Sequence, residues 1–316
     1  MKINKTRLYV ALALPVFIVI WLTLPNELFI VSLAKAFLLQ LLIALPILTL
    51  ILFALKWKGM AIGCVVSLLI LSLFMYPFLK RDRLEISRSE TITVAQFNLK
   101  RTNQSYYQVV EMIKLSGAQL VSIQEIDRQW MDRLKDGLSE NYPWSFGLPD
   151  ESGFYGVAVF SKHPAVFQKS EMVGLENVEG VCHLPSGDVH FLSSHLHTPT
   201  TPLNFELRNR HLKMIANWAK EKRTPVITLG DYNAVSWDSN LACLENDGRL
   251  SRASGGWIPT FPANVFPLIP IDQIYFSDEF ACASMWGQTI PGSDHRGVVA
   301  RLAITGRRTH SAERAR

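Results

Sequence analysis

Pro225-Val226-Ile227-Thr228-Leu229-Gly230-Asp231-Tyr232-Asn233 is the stretch on which the fold of this chain turns. A short apolar run closed by a turn residue reads as a buried strand, and a strand that stops at an acid and an amide delivers them to a sheet end. The arrangement recurs. Val94-Ala95-Gln96-Phe97 stops at Asn98, Val121-Ser122-Ile123-Gln124 at Glu125, and Phe191-Leu192-Ser193-Ser194 at His195. Asp272 opens a further strand-like run, and Ser293-Asp294-His295 stands just before Val298-Val299-Ala300-Arg301-Leu302. A single carboxylate of this kind is more often a solvated loop residue or a helix cap. Several polar groups at strand ends are harder to dismiss, because strand ends converge and loops there carry function.

Working outward, strands are expected at Thr91–Asn98, Gln119–Glu125, Gly156–Ser161, Val189–His195, Pro225–Leu229, Ile271–Phe276 and Gly297–Ile304. Helices are expected at Gln104–Leu115, Trp130–Leu138, Phe205–Lys222 and Trp237–Asn246. In the third helix Leu212, Ile215, Ala216 and Ala219 form an apolar face, opposite Lys213, Asn217, Lys220 and Glu221. Strands interleaved with helices predict a layered α/β or α+β domain, and about 215 residues suffice for a full core.

The first eighty residues differ. Leu8–Leu24, Ala36–Leu55 and Met60–Leu79 contain no Asp, Glu, Lys or Arg. Each approaches the roughly 20 residues needed to cross a bilayer, so three transmembrane helices are expected, with lipid contact through residues 8–79. A cleaved signal peptide is the alternative for the first run, weakened by the two runs that follow. Lys2, Lys5 and Arg7 before the first run, with Lys56 and Lys58 between the second and third, place the N-terminus in the cytoplasm. Three crossings would then carry the rest to the periplasmic or extracellular side of a bacterial inner membrane, although Lys80, Arg81 and Arg83 argue the other way. The domain plan is a membrane segment 1–80, a linker 81–90, a catalytic domain 91–305 and a disordered basic tail 306–316.

The net charge of +5 is unevenly spread. Residues 1–80 carry +6 and residues 307–316 carry +3, leaving −4 for residues 81–306. The soluble part therefore lacks the basic footprint of a strong nucleic-acid binder. Four cysteines without a Cys-x-x-Cys spacing indicate neither a zinc site nor a complete disulfide framework, and one disulfide stays open. No protein partner is indicated.

Magnesium takes oxygen ligands and keeps several waters, so one or two carboxylates and an amide oxygen suffice; Glu125 and Asn98 fit that role. Hydrolysis of a phosphate ester also needs a base for the water and donors for the phosphoryl oxygens. His295 is a candidate base if a carboxylate orients it, and Asp272 is nearest in sequence.

Taken in order, Phe97-Asn98-Leu99, Gln124-Glu125, Gly156-Val157-Ala158-Val159-Phe160-Ser161, Ser194-His195-Leu196, Gly230-Asp231-Tyr232-Asn233, Ile271-Asp272-Gln273-Ile274 and Ser293-Asp294-His295 resemble the endonuclease/exonuclease/phosphatase superfamily over residues 91–305. That superfamily includes deoxyribonucleases, abasic-site endonucleases, neutral sphingomyelinases and inositol polyphosphate 5-phosphatases. The resemblance implies a four-layer sandwich of two β-sheets flanked by helices and a magnesium-dependent phosphoesterase, with manganese as the alternative ion. It implies that Glu125 is the main metal carboxylate, with Asn98 and Asp294 close to the ion. Asp231 and Asn233 would position water and phosphate, His195 would donate to a phosphate oxygen, and Asp272 with His295 would form an acid–histidine dyad.

The chain departs from the pattern where some members carry a tyrosine before the Gly-Val-Ala run: Phe154 holds that place, with Tyr155 beside it. Arg208 or Arg210 supplies the basic residue often found before the fifth strand. Substrate choice, nucleic acid or phospholipid head group, is expected to lie with two aromatic loops, Tyr142–Phe146 and Trp257–Phe266; packing beneath loops is the competing account. A catalytically inactive membrane-bound scaffold is the rival function, but it should have lost Glu125, Asp231 or His295, and all three are present.

Overall fold

The computed structural model describes residues 5–81, 90–222, 225–263, 265–266 and 268–305. The expected linker, from 82 to 89, and the basic tail from 306 lie outside the described residues. Two compact units result, one running to Lys80 and including Trp237–Ser239, the other made of the remaining residues from Arg81 onward.

The first unit is helical: α1 (Lys5–Thr23), α2 (Phe29–Lys35), α3 (Leu38–Ala54) and α4 (Lys58–Leu79). α4 packs on α1 and α3. Gly63 permits the first contact, since a Cβ there would lie 2.3 Å from the Ala11 carbonyl oxygen. Three transmembrane helices are not supported. α4, with 22 residues, is long and apolar enough to cross a membrane, and α2 with α3 make a second span only if the pair, bent by 56°, is taken as one. α3 alone has 17 residues, and the apolar helix Ala11–Thr23 is shorter. Freedom from charge sets the hydropathy of a run but not the continuity of its helix, and these pieces fall short of the roughly 20 residues a bilayer requires. Multi-pass insertion, and the periplasmic side that follows from three crossings, lose their support with that count.

The second unit runs β1 (Thr91–Asn98), α5 (Tyr106–Leu115), β2 (Leu120–Gln124), α6 (Arg128–Leu138), β3 (Trp144–Leu148), β4 (Val157–Ser161), β5 (Ala165–Met172), β6 (Leu175–Leu184), β7 (Gly187–His195), α7 (Pro202–Glu221), β8 (Val226–Asp231), α8 (Ala242–Asn246), β9 (Leu250–Arg252), β10 (Asp272–Ser277), β11 (Phe280–Thr289) and β12 (Arg296–Ile304). Two six-stranded sheets form, in the orders β11-β12-β1-β2-β4-β3 and β5-β6-β7-β8-β10-β9. Each has one parallel pair, β1 with β2 and β7 with β8, joined by α5 and α7 respectively. A parallel neighbour demands such a crossover. α6 starts where the Asp127 carboxylate accepts from Trp130 N, and α7 where Thr201 Oγ1 accepts from Asn204 N ahead of Pro202.

Three apolar clusters fill the layers. Ala95, Phe97, Val121 and Ile123 face Val109, Ile113, Trp130 and Leu134 of α5 and α6. Leu192 and Tyr275 face Leu212, Ile215 and Ala216 of α7, as the periodicity of that helix predicts. Between the sheets, Ile92, Val94 and Leu120 meet Val189, Phe191, Ile227, Leu229, Ile274 and Phe276. Two mixed sheets with helices on their outer faces are the sandwich expected.

Some expectations need correction. Trp144–Leu148 is the edge strand β3 rather than a substrate loop, and Tyr142 is buried with its hydroxyl donating to Ala118 O at 2.9 Å. Trp237–Asn246 is not one helix, for α8 begins at Ala242 after a single 3₁₀ turn. None of the four cysteines, all described, forms a disulfide.

Candidate active site

The intersheet faces change character along their length. On β1 the residues read Ile92, Val94, Gln96, Asn98; on β7 they read Val189, Phe191, Ser193, His195; on β8, Ile227, Leu229, Asp231; and on β10, Phe276, Ile274, Asp272. With a side-chain period of two, each strand passes from oil to polar groups on the same face, and all do so at the same end of the sandwich. Register completes the convergence: His195 and Asp272 stand opposite Asp231 on its two sides, and Asn98 stands opposite Gln124, just before Glu125.

Tight turns hold the groups at these ends. Lys100 N donates to Asn98 Oδ1 at 3.0 Å, Asn233 N to Asp231 Oδ1 at 3.0 Å, and His295 N to Ser293 Oγ at 2.9 Å. Such side-chain bonds two residues along reverse the chain within the motif itself. Glu125, Lys100 and Asn233 adopt left-handed backbone, with φ of 59°, 64° and 50°. For Glu125 that conformation costs on the order of 1 kcal/mol or more, recovered where its carboxylate accepts from Arg101 N at 3.0 Å. Gly230 has a steric reason to precede Asp231: a Cβ there would lie 1.8 Å from the Ser194 carbonyl oxygen.

At the centre, Asn98 Nδ2 donates to Glu125 Oε1 at 2.9 Å and to Asp231 Oδ2 at 3.1 Å. Two carboxylates and a carboxamide therefore meet at one point. That is the oxygen-rich donor set a hard divalent cation takes. Asp231, Asp272 and His295 also gather ligand atoms within 4.8 Å. Asp272, however, is engaged on both oxygens, accepting from Gln96 Nε2 at 2.8 Å and lying 3.1 Å from His295 Nδ1. Asp272 is thus placed to orient the imidazole, while Asn98 and Glu125, beside Asp231, could hold a cation.

Burial sets the protonation states. His195 is pushed down to about 3 by burial and then by the nearby charge of His295, so its ring is neutral. Burial alone would lower His295 as well, but the charge and hydrogen bond of Asp272, followed by the charge of Asp231, raise it to about 9. Burial, then the charge of Asp272, holds the Asp231 carboxyl well above the usual range. Asp231 Oδ2 lies 3.6 Å from His195 Nε2 and 3.9 Å from His295 Nε2. Both rings thus face the same carboxylate oxygen from just beyond hydrogen-bond distance.

Every expected site residue except Asp294 belongs to this group, all of them buried but Glu125, which is half-buried. Asp294 instead pairs with Lys100 at 3.4 Å, half-exposed. Asn233 stands at the edge, with its Nδ2 on Leu196 O at 2.9 Å and its carbonyl accepting from the buried Arg208 Nη1 at 2.9 Å; Arg210 is exposed. The Phe154 ring carries the Arg101 guanidinium at 5.1 Å, while the Tyr155 ring lies 5.3 Å from that of His195. The second aromatic loop does reach the site, with Phe261 at 4.8 Å from the His295 ring and Ala263 N bonded to Asp294 O. The sequence reading missed Gln96, whose only signal was a polar residue on an apolar face.

The pattern of the Endonuclease/Exonuclease/phosphatase family matches residues 95–295, well over half of the chain. The chain belongs to this family. It carries the fold and polar set of a phosphoric-ester hydrolase. Among solved structures, an endonuclease/exonuclease/phosphatase from Beutenbergia cavernae is 19% identical, covering 69% of this chain and 72% of its own, with a TM-score of 0.58. A mannosyl-6-phosphatase of Bacteroides thetaiotaomicron is 17% identical over 67% of this chain and 100% of its own, at 0.56. Sphingomyelinase C from Streptomyces griseocarneus is 17% identical over 67% and 99%, at 0.51. At such identities the likeness shows the fold alone. No curated protein matches the chain in sequence at a significant level.

Proposed function

We propose that this chain is a divalent-cation-dependent phosphoesterase, with magnesium as the ion, that hydrolyses a phosphodiester or phosphomonoester of a nucleic acid or a phospholipid head group. The observation that carries the reading is the convergence of Asn98, Glu125, Asp231, Asp272, His195 and His295, far apart in sequence, at one end of the intersheet layer. Family membership supports cation dependence. Asn98 and Glu125 would hold the ion, which would supply Lewis-acid charge to the phosphoryl oxygens.

The chain's own groups divide the remaining work. Asp231, facing both imidazoles, orients the attacking water and takes its proton. His295, held protonated by Asp272, suits a donor to phosphoryl oxygen better than the base its sequence position suggested. Neutral His195 donates from the opposite side through Nε2. As phosphorus becomes five-coordinate and charge builds on its oxygens, these fixed donors meet it in a buried site without reorganising. The helix Lys58–Leu79 anchors the enzyme at a membrane, bringing phospholipid within reach as one substrate class.

Full-length protein in detergent, assayed in parallel on plasmid DNA, phospholipid vesicles and a sugar phosphate, with magnesium or with chelator, tests the proposal. Hydrolysis of at least one substrate should require magnesium and fall about 10³-fold or more in Glu125→Ala. Full activity in that variant or in chelator would remove the assignment.

A further inference from the structure

Between the apolar intersheet core and the site lies a seam of polar side chains that the reaction as derived does not use. Ser193 Oγ of β7 meets Ser122 Oγ of β2 at 2.6 Å, Ser122 Oγ accepts from Gln124 Nε2 at 2.5 Å, and Gln124 Oε1 accepts from Gln96 Nε2 at 2.6 Å. The second hydrogen of Gln96 Nε2 goes to Asp272 Oδ1 at 2.8 Å. All four seam residues are fully buried, and the chain of bonds begins on one sheet, crosses the other and returns to the first.

Four buried polar side chains at positions that would accept Leu or Val are expensive to keep, the more so because Gln96 Oε1 finds no partner. Asp272 supplies the reason for them. Its carboxylate is 2% exposed, one oxygen faces His295, and Gln96 is the donor on the other. Gln96 itself has no rotamer to spare, because its two amide hydrogens are spent on Gln124 and Asp272. We propose that Gln96 is a positioning residue: by bonding across the sheets it fixes Asp272, and through Asp272 the plane and placement of the His295 ring over Asp231. This rests on the phosphoesterase reading for its kinetic consequence, though not for its structural one.

The test uses the full chain. With bis(p-nitrophenyl) phosphate and magnesium, Gln96→Met, which keeps the volume and removes both donors, should lower kcat 10- to 100-fold and leave KM within about 2-fold. In Asp272→Asn, adding Gln96→Met should cause no further loss, because the route to His295 is already cut. A low-field proton NMR signal from His295 Nδ1–H, identified by its loss in His295→Gln, should shift or broaden in Gln96→Met without any substrate. Gln96→Asn, too short to reach both partners, carries the same expectations if the Met variant does not fold. A folded variant with unchanged kcat and an unmoved imidazole signal would overturn the proposal. An inactive wild-type protein would remove the phosphoesterase reading, and the NMR comparison would still decide the role of Gln96.

Discussion

Replacing Asp272 by Asn keeps the shape of the side chain and removes its charge, so it isolates what that carboxylate does to His295. The imidazole is raised from 6.5 to about 9, a gap equal to roughly 3 kcal/mol of preference for the protonated ring. Burial works in the other direction, as at His195, where it and the charge of His295 bring the ring to about 3. Without the Asp272 charge, burial should prevail and His295 should titrate below 6.5. The consequence for stability has a definite sign. A group whose proton affinity is higher folded than unfolded stabilises the fold fully below the unfolded value, near 6.5, and that stabilisation disappears as pH rises through about 9. Wild-type protein in chelator should therefore lose on the order of 3 kcal/mol between pH 6.5 and 9.5, or about 6–10 °C in melting temperature for a domain of this size. Asp272→Asn should start lower at pH 6.5 and show no such decline. Thermal melting across that range, with NMR titration of labelled histidines, measures both. A His295 that titrates unchanged in Asp272→Asn would refute the electrostatic argument.

Other consequences concern individual residues. Gly230→Ala places a Cβ 1.8 Å from Ser194 O, so it should destabilise the domain by about 3 kcal/mol or more, read as a lower denaturant midpoint. Asp294→Asn breaks only a half-exposed pair with Lys100, so its kcat should stay within about 3-fold of wild type and its stability within about 1 kcal/mol; a collapse in activity would return Asp294 to the metal group. Thr201→Ala removes the cap of α7 and should cost about 1 kcal/mol in chemical denaturation while leaving kcat unchanged.

Much of the fold and site was legible in the sequence because the relevant signals are local. β1, β2, β4, β7, β8, β10 and β12 lie where apolar runs end in turn or polar residues, and the turn-forming side chains of Asn98, Asp231 and Ser293 act two residues along their own chain. The strands that escaped notice are β3, β5, β6, β9 and β11. β5 and β6 are joined by a two-residue turn with positive φ at both Val173 and Gly174, a turn usually announced by Asn-Gly, and their charged, half-exposed faces give little hydrophobic alternation. The broken helix before α3 was equally hidden, since nothing in an uncharged run dictates where its backbone bends.

Sequence by itself determined the family, the order of the polar strand ends and the residues that could meet. Tertiary structure decided which of them do: it sent Asp294 to Lys100, turned Phe154 toward Arg101 and Tyr155 toward His195, and brought Gln96 of one sheet onto Asp272 of the other. Periodicity acts over a few residues and can be read along the chain, whereas a hydrogen bond between residues 176 positions apart depends on how two separately formed sheets stack.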